Sequence, residues 1–244
     1  MEIKNTEVYG FKAAVRGMRN PKKSHHLSDS FSRIDNDVIF GIYKNVFFDE
    51  AMKESNKEQF FFGENDIRLS QTLLKAGTEH AKFMRQIHVW VDIDEPLYFW
   101  SEFDTYHYNT KNSESTMHKL LDKKNKIEKE DLVFCEEDED IIDIILERLN
   151  YIRDEWLVAT ENKDVKTQNR CLLRAKRILP CSYEQLRTVD TNYAEIRNIV
   201  LQRRHHRLKE EWQQTFCKWT TTLPYAKELI FYGIEDDYER FINM

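Results

Sequence analysis

A chain of 244 residues with 41% hydrophobic and 13% aromatic side chains can bury a sizeable core, which excludes global disorder. Lysine and arginine number 37 against 43 aspartate and glutamate, a formal net charge of -6 that argues against a nucleic-acid partner while leaving room for a local basic pocket. No apolar run approaches the roughly 18 to 20 residues that span a bilayer, and Met1-Glu2-Ile3-Lys4-Asn5 lacks the apolar core of a secretory signal, so a cytoplasmic protein with no membrane partner is expected.

In chain order, the first sixty residues carry the weakest signals. Their basic, polar stretch from Arg16 through Met18, Arg19, Asn20, Pro21, Lys22 and Lys23 to His25 and His26 reads as a solvated loop, with a phosphate-facing loop as the alternative. Further on, Asn65 or Asp66 can cap a helix carrying Ile67, Leu69, Leu73 and Leu74, which Gly77 can end. Ile87, Val89, Val91 and Ile93 then alternate with His88, Trp90 and Asp92, and this period of two predicts a strand with one buried face. Pro96 opens a second helix with Tyr98, Phe99, Trp100 and Phe103 as its apolar surface, followed by a segment rich in Asn, Ser and Thr.

Residues 119 to 139 are charged, and the acidic run Glu136 to Asp140 reads as solvated. Ile141, Ile142, Ile145, Leu146, Leu149, Ile152 and Trp156 recur at helical spacing, which predicts a long amphipathic helix over 140 to 160. Another helix ends near Leu179-Pro180, and Tyr183 to Val189 reads as a strand. Asn192 to Leu201 reads as a helix, followed by one carrying Leu208, Trp212, Phe216 and Trp219. Helices and strands alternate irregularly, so an α+β fold is expected rather than a doubly wound sheet. The expected organisation is a single domain over 1 to 244, with 119 to 165 as an inserted or variable helical region.

Four cysteines (Cys135, Cys171, Cys181, Cys217) form no CxxC pair and no metal-type spacing with histidine, so reduced thiols and no metal site are expected. His205 and His206 have no acidic partner at ligand spacing. With six glycines and four prolines, the chain has no P-loop and no Gly-rich dinucleotide fingerprint. Three segments concentrate polar chemistry. Residues 105 to 119 gather hydroxyls, amides, two imidazoles and two ammonium groups able to hold a polar heterocycle. Arg174, Lys176 and Arg177 supply cations for a phosphate. Asn192, Asn198 and Arg203 to Arg207 form the third; on a helix 192 and 198 lie well apart, whereas 199 and 203 share a face.

The last two segments resemble the carboxy-terminal half of the flavin-dependent thymidylate synthases (ThyX). Ala175-Lys176, Leu179-Pro180, Asn192, Asn198, Arg203 and Glu211 follow, without a gap, that family's Ala-Arg and Leu-Pro element, asparagine-bearing helix, arginine and glutamate. Upstream, Lys75-Ala76-Gly77, the 87 to 93 strand and Pro96 follow its order of elements. The family's signature, RHR-x7-S, departs here. Counted from Pro96 it falls on Thr105-Tyr106-His107 with Ser115, or one residue later on Tyr106-His107-Tyr108 with Thr116. Neither register keeps both arginines, and a family glutamine three residues earlier becomes Glu102.

The resemblance implies a ThyX-like fold with a mixed or antiparallel sheet flanked by helices. It implies methylation of dUMP at C5, with FAD carrying hydride, methylenetetrahydrofolate donating the carbon and NADPH as reductant. Asn192, Asn198 and His107 would contact the flavin, Arg203 would hold the nucleotide and act with Ser115 beside the pyrimidine, Lys176 would stand at the phosphate, and Glu102 would face the substrate. Lys111, His118 and Lys119 are the groups that could replace the lost signature arginines. A homotetramer with active sites between subunits is implied, of a divergent kind met chiefly in phages and working in the host cytoplasm. The alternatives are a flavoenzyme for another pyrimidine deoxynucleotide and a nucleotide-binding homologue without catalysis.

Overall fold

A computed structural model describes residues 1–34, 58–121 and 126–244; residues 122–125 of the charged stretch lie outside the described residues. The chain runs β1 (Glu2–Tyr9), α1 (Phe11–Arg19), β2 (Phe31–Ile34), β3 (Glu58–Phe61), α2 (Glu64–Lys75), β4 (His88–Pro96), α3 (Leu97–Phe103), β5 (Thr110–Ser113), α4 (Glu139–Glu161), α5 (Val165–Ile178), β6 (Glu184–Asn192) and α6 (Tyr193–Arg203). A π-helical segment Lys209–Cys217 follows, then the short helices α7 (Lys218–Thr220), α8 (Ala226–Leu229) and α9 (Glu235–Ile242). Four strands form one sheet in the order β1-β4-β6-β5, and β2 pairs with β3. Strands β4 and β6 are antiparallel: His88 meets Asp190, while the Leu97 N–H donates to the Tyr183 carbonyl. The fold is α+β with an antiparallel sheet and a long helix, as the sequence predicts.

The predicted strand is β4, and its alternation is the cause. Val89, Val91 and Ile93 are buried while His88 and Trp90 face solvent. Pro96 stands in extended backbone as the cap residue of α3, a place that needs no N–H from it. The 23 residues of α4 match the predicted amphipathic helix, and the acidic residues before and within its first turn are exposed, where they complement the helix dipole.

The chain divides into two compact units. The first comprises Met1–Glu2, Asp92–His107 and Lys111–Thr188. Its helical part is built on α4 and α5, whose Leu149, Ile152, Cys171 and Ala175 pack in one cluster with Leu120, Leu121 and Leu132. Asp164 opens α5 by accepting the Thr167 N–H at 3.1 Å. The second unit comprises Ile3–Val91, Tyr108–Thr110 and Val189–Met244. Here Phe11 packs edge-on against Tyr193 and Tyr225, each at 5.5 Å, and the Tyr225 hydroxyl accepts the Phe62 N–H at 2.9 Å.

Two expectations are corrected in the second unit. The basic stretch from Arg16 is a helix up to Arg19, followed by 3-10 turns at Asn20–Lys22 and His25–Leu27. Phe11, Ala14, Val15 and Met18 are its buried stripe at helical spacing, a period that begins before the cations and is masked by them. Nor does Asn65 or Asp66 cap α2. The Asp29 carboxylate accepts the N–H groups of Asn65 at 2.9 Å and Asp66 at 3.2 Å. Asp66 turns inward instead and is fully buried, bound by Arg19, by the Ser28 hydroxyl at 2.6 Å and by the Ser30 hydroxyl at 2.7 Å. Burial alone would push this carboxyl up, but the hydrogen bonds from Ser28, Ser30 and Arg19 outweigh it and hold it below the ordinary value.

Candidate functional site

In the first unit, two of the three polar segments meet. The hydroxyl-rich segment turns at Ser115, whose carbonyl accepts the Lys119 N–H at 2.9 Å and whose hydroxyl accepts the His118 N–H at 3.2 Å. Lys176, in the last turn of α5, donates from Nζ to the Thr116 hydroxyl at 2.6 Å. A cation is thereby placed at the Ser115–Thr116 turn, where Met117 and His118 are exposed. Glu102 is half-buried near the end of α3, and His107 is exposed just beyond it. Between them Tyr106 is buried against Phe103, with ring centroids 6.1 Å apart, so both signature registers have one aromatic residue committed to packing.

The same unit holds a denser arrangement on β6. Arg187 donates from Nη1 to both Asp104 oxygens at 3.2 Å and from Nε to Gln185 Oε1 at 3.0 Å, and its guanidinium lies 4.3 Å from the Trp100 ring centroid. Gln185 is itself anchored, donating to the Glu114 carbonyl at 2.7 Å. Lys111 on β5 reaches the same Asp104 carboxylate at 3.0 Å.

In the second unit, Asn192 is the N-cap of α6: its Oδ1 accepts the Glu195 N–H at 3.1 Å. The cap commits the oxygen and leaves the amide nitrogen for other use. Tyr193 anchors the same turn, its hydroxyl donating to the Pro224 carbonyl at 2.6 Å. Burial pushes that phenol well above its ordinary value, so it acts as a neutral hydrogen-bonding group. Asn198 is exposed and accepts a hydrogen bond from Gln202 at 2.9 Å. Arg203 stacks on the buried Trp212 ring at 4.6 Å, while Ile199, on the same face, is buried. His206 lies edge-on to Trp212 at 6.0 Å, and its Nδ1 accepts the Leu208 N–H. A cavity of about 350 Å³ lined by Leu74, Lys75, Arg197, Tyr232, Gly233 and Glu235 contains none of the predicted site residues.

No family model matches the chain, and no curated protein matches it in sequence. Among solved structures it is similar to flavin-dependent thymidylate synthase ThyX from Helicobacter pylori complexed with FAD and dUMP: 15% identity, TM-score 0.64, covering 96% of this chain and 99% of that one. A second structure of thymidylate synthase X from Helicobacter pylori with FAD and dUMP gives a TM-score of 0.63 at 15% identity, over 98% and 100% of the two chains. The fold is that of the flavin-dependent thymidylate synthases.

Within this ThyX fold, Lys176 docks at the turn that carries Ser115, and Arg187 is a residue that no motif in the sequence singles out. Its only local signal was alternation: Gln185 and Arg187, two apart on a strand, share a face. Its partner Asp104 lies 83 residues earlier and could not be paired with it from sequence. Among the described residues no helix is long and apolar enough to cross a membrane.

Proposed function

We propose that this chain is a flavin-dependent enzyme that methylates dUMP at C5 to give dTMP, with methylenetetrahydrofolate as carbon donor and NADPH as reductant. The observation that carries the reading is a likeness of fold over nearly the whole chain to enzymes crystallised with FAD and dUMP. Taken one by one, the donors are of the kinds such ligands need. Lys176 supplies an ammonium for a phosphate, Ser115 a hydroxyl beside the pyrimidine, and Asn192 an amide N–H whose direction its own cap bond sets. Asn198 and His107 are assigned to the flavin, Arg203, whose guanidinium lies 4.6 Å from the Trp212 ring centroid, to the nucleotide, and Glu102 to the base. The flavin, when bound, supplies hydride transfer; the protein's part is orientation and electrostatics.

In this reading the chain works as one catalytic domain, with 119 to 165 as its variable helical part. It assembles as a homotetramer in which neighbouring subunits complete each site. Incubation with dUMP, methylenetetrahydrofolate, FAD and NADPH, followed by mass spectrometry, should show a nucleotide heavier by one methylene unit. In a parallel incubation with dCMP, a methylated dCMP product beside unchanged dUMP would favour the second reading, another pyrimidine deoxynucleotide, which Glu102 in the place of a family glutamine supports. No product from either, with dUMP still bound, would leave a nucleotide-binding homologue without catalysis.

A further inference from the structure

We propose that Arg187 and Lys111, gathered on Asp104 above the Trp100 ring, form a preformed site for a phosphate ester, the group that dUMP and FAD share. The inference rests on the nucleotide and flavin reading above and assigns it two further binding residues.

The guanidinium of Arg187 is locked before any ligand arrives. Gln185 fixes Nε, Asp104 fixes Nη1, and the indole of Trp100 lies beneath at 4.3 Å. Among the described residues Nη2 donates to nothing, so two N–H groups of a rigid fork remain for an anion. The side chains of Arg187 and Lys111 are only 13% and 17% exposed, which shields their charge from bulk water without closing it off. The position of the trio matters as well. Asp104 immediately precedes Thr105-Tyr106-His107, the triplet that lacks the signature arginines, and β5 carries Lys111 towards the Ser115–Thr116 turn where Lys176 docks. Charge missing from one strand of sequence is restored by two others. Ordering costs have been met on folding, which favours binding.

The test is calorimetric titration of dUMP against deoxyuridine, and of FAD against riboflavin, with three proteins: the parent, an Arg187→Gln/Lys111→Gln double variant, and Asp104→Asn. The double variant should bind one of the two phosphate esters at least about tenfold more weakly, with its dephosphorylated counterpart unchanged. Which ester loses affinity identifies the occupant. Asp104→Asn should tighten the same ester, because it removes a competing anion, whereas a purely structural ion pair predicts weakening. Double-variant affinities for both esters within about twofold of the parent would overturn the site while leaving the function intact. A parent that binds neither ester would overturn the nucleotide reading and this site with it. Should the double variant fail to fold, Arg187→Lys keeps the charge and loses the fork; unchanged selectivity for ester over dephosphorylated form would then count against the proposal.

Discussion

Asn192 holds two assignments that point substitutions separate. Its oxygen caps α6, and its nitrogen is proposed for the flavin. Asn192→Ala should cost about 1 kcal/mol through the lost cap and also weaken FAD binding. Asn192→Asp keeps the acceptor beside the helix N-terminus but not the amide N–H, so urea unfolding should stay near the parent while FAD affinity falls about tenfold. Equal FAD affinity in the Asp variant would remove Asn192 from the flavin site. Arg203→Ala should weaken dUMP binding, and a variant that binds dUMP as well as the parent would undermine the nucleotide site on α6. Asp66 gives a stability prediction of a different kind. Its folded carboxyl is held below the unfolded value near 4, so the stability it contributes is present above that value and lost as pH falls through the folded one. Asp66→Ala leaves the buried Arg19 without its carboxylate and should cost about 3 to 5 kcal/mol at neutral pH, with a flatter acid limb in the unfolding profile.

Elements differ in how openly the sequence declares them. The period of two in β4 and the apolar spacing of α4 are local properties, and both were legible. Helix α1 was not, because its cations sit among the apolar positions, and neither was the cap of α2, because Asp29 acts from 36 residues away. The candidate site divides the same way. Asn192, Asn198, Arg203 and Lys176 lie in one continuous stretch that can be read as a pattern, whereas Arg187 matters only through a pairing that folding creates. Between β1 and α1 the chain relies on Gly10, at φ 106°, where an added Cβ would stand 2.0 Å from the Gln86 carbonyl oxygen. Gly10→Ala should therefore destabilise the protein by about 1 to 3 kcal/mol or more in urea unfolding, since positive φ and a backbone clash act together. A change within about 0.5 kcal/mol would contradict the described turn.

At the scale of the whole molecule, a fold shared with FAD- and dUMP-bound enzymes coexists with the absence of the RHR arginines, and the proposed cations come from elsewhere in the chain. The proposed tetramer should appear in light scattering at four times the 29.5 kDa chain mass; a monomer would remove the shared active sites. The central claim is the flavin. Titrating the purified protein with FAD, and following flavin fluorescence before and after dUMP is added, tests it most directly. Saturable binding at one FAD per chain and a further spectral change on adding dUMP are expected; a flavin signal that never departs from that of free FAD would contradict the flavin site.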